Sequence, residues 1–309
     1  MVSIIIVNWN SGRLLENCVQ SLIGNAAGCQ IVIVDNASTD SSLTFLERTR
    51  ANISVLRNSR NIGFAAANNL GWRMSKGTSI LFLNPDTESL HGSVELLDST
   101  LSADNGVWAA GGHLVSPSGQ PQSDFNVRPF PTVGRVAADM LFLDEIRHFS
   151  PRIRPRRVSP GNVVMDVDQP AAACLMVKRT ALESAGGFDE SFRPAWFEDV
   201  DLCKRIRNQG GRIRYVPGAR FIHHGGYSLS RMSWQDFLES FHSNQIRYFR
   251  KHHGPHTAAR VKKIVVLGLF LRSAISVAYP LAPGLSRLSS ARAFWMAARR
   301  IGKLPEVAA

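Results

Sequence analysis

Two clusters in this sequence have residue types and spacing that could do chemistry. One is the acidic run Glu198-Asp199-Val200-Asp201; the other is the pair His223-His224, about 24 residues further on. A placed carboxylate can take the proton of an attacking hydroxyl, and an imidazole can ligate a divalent cation. Between the clusters, Leu202 to Asn208 carries its apolar residues on one helical face. Gln209-Gly210-Gly211 stops that helix, and Arg212 to Val216 alternates like a short strand. Acids and histidines can therefore meet in space. Two plainer readings stand beside this one: acids in a first helical turn are favoured by the helix dipole, and a His-His pair can be a polar loop. Three more polar groups follow apolar runs: Asn8-Trp9-Asn10, Asp35-Asn36 and Asn84-Pro85-Asp86.

The elements that must hold these groups are legible. Ser3 to Asn8, Ile31 to Val34, Ile53 to Leu56 and Ile80 to Leu83 are apolar runs of strand length, and runs without alternation suit strands covered on both faces. Helical spacing separates them at Leu14 to Ile23, Ser42 to Arg50 and Phe64 to Met74. This β-α-β-α-β-α-β order predicts an α/β fold with a mostly parallel, doubly wound sheet. Ligands on such sheets bind outside the carboxyl ends of the strands, where the three polar groups lie. Beyond them the pattern predicts a helix over Glu88 to Leu101, strands at Val107 to Val115 and Ala171 to Val177, and a helix over Arg179 to Ala185. Arg128 to Pro160 reads as an irregular insertion around one apolar piece, Val133 to Leu143, lining a binding face.

The chain of 309 residues is 44% hydrophobic and 19% charged, a globular composition. Four scattered cysteines without a CxxC argue against a zinc ribbon or disulfide scaffold and fit a reducing compartment. The opening MVSIIIVNWN has no basic region and does not read as a signal peptide. The net charge of +12 is concentrated at one end: from Arg247 onward there are 12 Lys/Arg against one acid, Glu306. Such a tail suits an anionic surface. Trp234 to Arg250 reads as an amphipathic helix. Ile264 to Pro283 is apolar but broken by Arg272, Pro280 and Pro283, so a helix lying on a membrane or packed on the protein is expected rather than a spanning one. With basic residues on both sides, it has the arrangement of a peripheral membrane protein. Residues 1–226 are expected to form one domain and 227–309 a basic helical extension.

Six segments carry a family likeness: SIIIVNWNSGRLLENCVQSL, IVIVDNASTDSS, NSRNIGFAAANN, ILFLNPDTE, GGFDESFRPAWFEDVDLCKRI and YVPGARFIHHGG. In this order they resemble the inverting family 2 glycosyltransferases of the GT-A fold, in particular the bacterial rhamnosyltransferase-like branch. The resemblance implies a nucleotide-sugar donor, Mg²⁺ or Mn²⁺, and transfer to a growing glycan on a polyprenyl-diphosphate lipid. The pathway would be cell-envelope polysaccharide synthesis, in the cytoplasm at the inner membrane face. The donor of that branch is dTDP-L-rhamnose; a UDP-sugar is the alternative.

The same resemblance assigns roles. The family's DxD metal motif falls on Asn84-Pro85-Asp86, so Asp86 matches the metal ligand and Asn84 offers at most a neutral oxygen. His223 matches a further ligand, with His224 as the alternative. Asp199 matches the catalytic base, and Glu198 raises its pKa or holds the acceptor. Asp201 reads as a helix cap. Asp35 matches the carboxylate gripping the nucleotide, with Asn8 and Asn10 beside it. Asn61, Gly63 and Asn68 match the loop and helix that close over the nucleotide. Trp196 would stack on an acceptor sugar or else be a core aromatic. A nucleic-acid-binding protein fits less well, since no recognised module accompanies the basic tail. A nucleotidyltransferase would open on a glycine-rich phosphate loop. A catalytically inactive sugar-binding relative is suggested only by Asn84.

Overall fold

A computed structural model describes residues 1–26, 28–49, 53–142, 163–225 and 232–305. The chain divides into two compact units, Met1–Phe130 with Val158–Pro194 and Glu198–Tyr227, and Pro131–Arg157 with Ala195–Phe197 and Ser228–Ala309.

The first unit is built on a mixed sheet. Strands β1 (Val2–Asn8), β2 (Gln30–Asp35), β3 (Ile53–Arg57) and β4 (Ser79–Leu83) run in the spatial order β3-β2-β1-β4, each parallel to its neighbour. Beyond β4 the sheet continues with β10 (Cys174–Lys178), β6 (Val107–Val115), β11 (Arg212–His223) and β5 (Thr87–Ser89). Strand β10 is antiparallel to both neighbours, while β6 and β11 are parallel to each other. Six strands thus share one direction, and β10 and the short β5 and β8 (Met165–Asp166) oppose them. Strand β8 pairs with β11, and β7 (Val127–Arg128) with β9 (Gln169–Pro170).

The unbroken apolar runs of β1 and β4 exist because both sheet faces are covered. One face carries helices α1 (Arg13–Asn25) and α3 (Ser93–Ser102), which bury Leu15, Val19, Leu22, Val94 and Leu97 against Ile4, Ile6 and Leu81. The other carries α2 (Phe64–Met74), a later helix α6 (Arg179–Ala185) and α7 (Glu198–Asn208), whose Ala67, Trp72, Leu182, Leu202 and Ile206 meet Ile5, Val7 and Phe82. Because α1 leads from β1 to one side and α2 leads into β4 from the other, the winding reverses between β1 and β4. That reversal is where a doubly wound sheet opens its ligand crevice.

Several elements differ from the sequence reading. Ser42 to Arg50 contributes only a 3₁₀ turn, Thr44–Arg48. The helix expected from Glu88 starts instead at Ser93, after Gly92 in the left-handed region at φ 72°, because Thr87–Ser89 is drawn into pairing with β11. Strand β11 does not end at Val216. A register shift between Val216 and Arg220 absorbs Pro217 and carries the strand on to His223. Helix α7 begins at Glu198, four residues before the expected Leu202.

The four-residue helix α4 (Ser123–Asn126) lies in the first unit, and α5 (Val133–Met140) in the second. The apolar piece Val133 to Leu143 is therefore helical over most of its length; the rest of the expected insertion, from 143, lies outside the described residues. Helix α8 (Trp234–Ala278) kinks at Gly254, φ 83°, ahead of Pro255, and α9 (Arg287–Gly302) follows. Helices α8 and α9 bury Val261, Val265, Leu269, Ala293, Phe294 and Ala297. Gly268 lets α5 approach, since a β-carbon there would stand 2.6 Å from Met140 Cβ. Arg272, which interrupts the apolar run, caps the end of α5: its guanidinium donates to the carbonyls of Met140 and Asp139 at 2.5 and 2.7 Å, where a cation also complements the helix dipole. Among the described residues, no helix is long and apolar enough to cross a membrane.

Candidate active site

At the carboxyl ends of β1 and β2 a buried network joins two loops. Asn8 Nδ2 lies 2.9 Å from Asp35 Oδ1, 3.0 Å from Ser38 Oγ and 2.9 Å from Ser42 Oγ. One amide group has two hydrogens, so these three acceptors share them. Asp35 Oδ2 accepts from Ser38 N at 3.3 Å. Asn10, with φ 54° in the left-handed region that asparagine tolerates, accepts from Thr39 N at 2.7 Å and Asp40 N at 3.2 Å. Asn8 and Asn10 thus fasten the first loop to the second around Asp35.

The next layer turns on Asn36, which the sequence reading placed at a strand end but gave no role of its own. Its Nδ2 donates to Asn61 Oδ1 and Gly63 O, and its Oδ1 accepts from Asn58 Nδ2 and Ile62 N. Gly63 holds φ 90° at the start of α2, and a β-carbon there would come within 3.3 Å of Pro194 O. Asn68 is buried and donates to Phe64 O, one turn earlier in its own helix, at 3.0 Å.

After β4, Asn84 N donates to Ala173 O at 3.1 Å, and Thr87 N returns to Asn84 O at 3.2 Å. This turn, with Pro85 at its second position, projects Asp86. The Asp86 side chain is buried, and its Oδ1 has no hydrogen-bond partner. What faces it is His223 Nε2 at 3.5 Å, from the end of β11. His224 Nε2 is held instead by Glu88 Oε1 at 2.8 Å. Successive strand residues point to opposite faces, so of the two histidines it is His223 that meets Asp86. Its ring stacks on Phe125 with centroids 5.2 Å apart and planes 5° from parallel. Burial lowers the His223 pKa against the opposing pull of Asp86, which keeps the ring neutral near pH 7.

An enclosed carboxylate oxygen left without a donor is costly unless something completes it. Asp86 and a neutral imidazole offer one oxygen and one nitrogen to a common point, a set suited to a divalent cation. Among the described residues no three His, Cys, Asp or Glu side chains cluster to hold a metal alone. An ion here would need further oxygens from its ligand, as Mg²⁺ and Mn²⁺ do when they bind through phosphates.

The acids of α7 form the other half. Glu198 is buried, and its Oε2 has no hydrogen-bond partner. Burial, then the charge of Asp199, pushes its pKa well above the usual carboxylate range. Asp199 is also raised by burial, but a hydrogen bond from Val200 N at 2.8 Å and the charge of Arg128 pull it back. Glu198 is pushed up the more strongly of the two, so it is the member that holds a proton to higher pH. Asp201 is not the cap: since α7 starts at Glu198, it lies within the first turn, fully buried, and is gripped by Arg205 at 2.7 and 2.8 Å.

Two routes connect the halves. Ala173 holds Asn84, while a backbone hydrogen bond from Ala172 reaches Asp199. On the other side, Arg128 lies over the Phe125 ring at 5.2 Å, and Phe125 carries His223. Asp86, His223, Phe125, Arg128, Asp199 and the 172–173 turn therefore surround one region. Gln122 precedes α4, Phe125 lies in it and Arg128 follows in β7, and the sequence reading gave none of the three a role at the site. Trp196, the residue but one before Glu198, has φ 74° and sits edge-on to Phe237, with ring centroids 5.1 Å apart.

Residues 3–155 match the family model described as Glycosyl transferase family 2. The chain belongs to the family 2 glycosyltransferases. It is 26% identical over 243 residues to the N-acetylglucosaminyl-diphospho-decaprenol L-rhamnosyltransferase of Mycobacterium tuberculosis, covering 75% of this chain and 78% of that one. Over 72% of its length it is 27% identical to the uncharacterized protein y4gI of Sinorhizobium fredii, of which it spans only 24%. The crystal structure of GalNAc-T7 with UDP, GalNAc and Mn²⁺ aligns with a TM-score of 0.59 at 16% identity, covering 94% of this chain and 53% of that one. This glycosyltransferase therefore has a GT-A-like fold with a long C-terminal helix.

Proposed function

We propose that this glycosyltransferase inverts the anomeric centre as it moves a sugar from a nucleotide donor to a lipid-linked glycan, with L-rhamnose from dTDP-L-rhamnose as the sugar. The observation that carries the reading is the buried, unpartnered Asp86 oxygen facing His223 Nε2 at 3.5 Å. Asp86 and His223 would hold Mg²⁺ or Mn²⁺, which when bound neutralises the charge of the departing diphosphate. Asp199 takes the proton of the acceptor hydroxyl as its oxygen attacks the anomeric carbon. The bond from that carbon to the diphosphate oxygen breaks, and the nucleoside diphosphate leaves with the electron pair. Glu198, keeping its own proton, donates a hydrogen bond to the acceptor. Asp35 grips the nucleoside, with Asn8, Asn10, Asn61, Gly63 and Asn68 shaping the loops around it and Asn84 beside the phosphates.

The choice of sugar and of a polyprenyl-diphosphate acceptor follows the mycobacterial relative, whose name specifies a rhamnosyltransferase acting on such a lipid. The second unit fits a lipid acceptor. On α8, Leu267, Leu271 and Ile275 recur at four-residue spacing and are exposed; on α9, Leu288 and Trp295 are exposed. Exposed Arg260, Lys263, Arg287, Arg292 and Arg299 accompany them. An apolar stripe among cations is suited to an anionic membrane surface, here the inner face of the cell membrane.

The test is a donor panel. Purified protein with Mn²⁺ or Mg²⁺ is given each common sugar nucleotide and scored for binding and slow hydrolysis, with Asp199→Asn and Asp86→Ala as controls. Metal-dependent turnover of dTDP-L-rhamnose, lost in both variants, is expected. Turnover of a UDP-sugar alone would replace the donor, and binding of none would overturn the transferase reading.

A further inference from the structure

His223 can present a lone pair toward Asp86 only if its proton sits on the other ring nitrogen. The structure contains a device that settles this. Gln122 Nε2 donates to the backbone carbonyl of His223 at 2.8 Å, and Gln122 Oε1 lies 2.8 Å from His223 Nδ1. A carbonyl oxygen only accepts. Turning the Gln122 amide over would set its own oxygen 2.8 Å from that carbonyl, two acceptors face to face. The amide orientation is therefore fixed by the backbone. Its oxygen can only accept at Nδ1, so Nδ1 must carry the hydrogen. At 3.5 Å with no hydrogen between them, Nε2 and Asp86 Oδ1 are two lone-pair atoms aimed into one space.

Gln122 is itself immobilised. Its backbone N donates to Leu114 O at 3.0 Å, and its carbonyl accepts from Phe125 N and Asn126 N at 2.9 Å each. Asn126 is fully buried, accepting from Leu114 N at 2.7 Å and donating to Leu114 O at 3.0 Å. The same segment supplies Phe125, whose stacked ring fixes the plane of the imidazole. We propose that Gln122 is a positioning residue that locks His223 in the Nδ1–H tautomer, leaving the Nε2 lone pair facing Asp86 as a metal ligand. The ligand role rests on the metal-dependent reading above; the tautomer does not.

The test reads the two separately. In metal-free protein labelled with ¹⁵N-histidine, a two-bond proton–nitrogen correlation reports which ring nitrogen is protonated, with the His223 signals identified by their loss in His223→Asn. The wild type is expected to show Nδ1–H. Gln122→Leu removes the acceptor and is expected to shift His223 to Nε2–H or a mixture. Gln122→Glu gives up the bond to the His223 carbonyl, so that oxygen must turn aside, but it keeps an acceptor for Nδ1 and is expected to retain Nδ1–H. Free Mn²⁺, followed by electron paramagnetic resonance with dTDP present, should show about 10–100-fold weaker binding in Gln122→Leu, with Gln122→Glu closer to wild type. An Nε2–H wild type, or a Gln122→Leu variant still wholly Nδ1–H, overturns the proposal. Wild type that shows Nδ1–H yet binds no Mn²⁺ upholds the tautomer lock and counts instead against the metal-dependent reading. Circular dichroism confirms that each variant is folded.

Discussion

Replacing the two neighbouring acids of α7 one at a time should have unequal effects. Asp199 is the member whose negative charge is supported, by Val200 N at 2.8 Å and by Arg128. Glu198 has an enclosed oxygen with no donor and a pKa pushed well up by burial and by its neighbour's charge. Asp199→Asn removes the proposed base, and a positioned base contributes about 10²–10⁴-fold, or ~3–5 kcal/mol of barrier. Glu198→Gln replaces a neutral acid by a neutral amide of the same shape, so kcat at pH 7 should stay within about tenfold. The pH profile of kcat/KM separates them further. On the proposed roles, wild-type activity should rise as Asp199 ionises, at a pH raised by its burial, and fall again as Glu198, raised further, loses its proton. Glu198→Gln should keep the rising limb and lose the falling one. Asp199→Asn should lower the whole profile. The assay is initial-rate transfer across a pH series at saturating metal. If Glu198→Gln fell as far as Asp199→Asn, or if Asp199→Asn kept a tenth of the activity, the assignment of base and proton holder would be wrong.

Other outcomes follow from the same structure. The raised Glu198 pKa means that its contribution to stability is fully present below the unfolded-state value and is lost as pH rises through the folded value. Thermal unfolding should therefore show Glu198→Gln gaining stability on the wild type at alkaline pH and not at pH 4. Arg205→Ala would take the ion-pair partner from the fully buried Asp201; removing one partner of a buried pair costs about 3–5 kcal/mol, readable in urea unfolding. In sedimentation with phosphatidylglycerol vesicles, Leu271→Asp should weaken binding by about tenfold or more, since burying a leucine contributes roughly 1.5–3 kcal/mol. Wild-type binding should also fall with salt and be weak on phosphatidylcholine. Equal binding by wild type and variant would remove that face from the account.

The parts of this fold legible in sequence are those set by local pattern. The apolar runs of β1, β2 and β4 predict buried parallel strands because covered strands need no alternation, and the polar residues at their ends fall where the crevice opens. The pattern misleads where a distant partner decides. Thr87–Ser89 follows β11 into the sheet rather than opening a helix. Pro217 looks like the end of a strand, yet the register shift carries β11 on to His223. The choice between His223 and His224 needs strand direction and the position of Glu88. Gln122 and Phe125 leave no local signal at all, since their contact with His223 spans about a hundred residues of chain. The family resemblance supplies Asp86, Asp199 and His223, but not the residues that hold them.

The central claim is transfer with inversion through Asp199. The measurement that addresses it most directly is a proton NMR time course. Purified protein is mixed with dTDP-L-rhamnose, Mn²⁺ and a synthetic polyprenyl-diphosphate N-acetylglucosamine, and the new anomeric signal is read as it appears. The account predicts a single product of inverted anomeric configuration, absent with Asp199→Asn. A product of retained configuration, or one formed equally by Asp199→Asn, would contradict it.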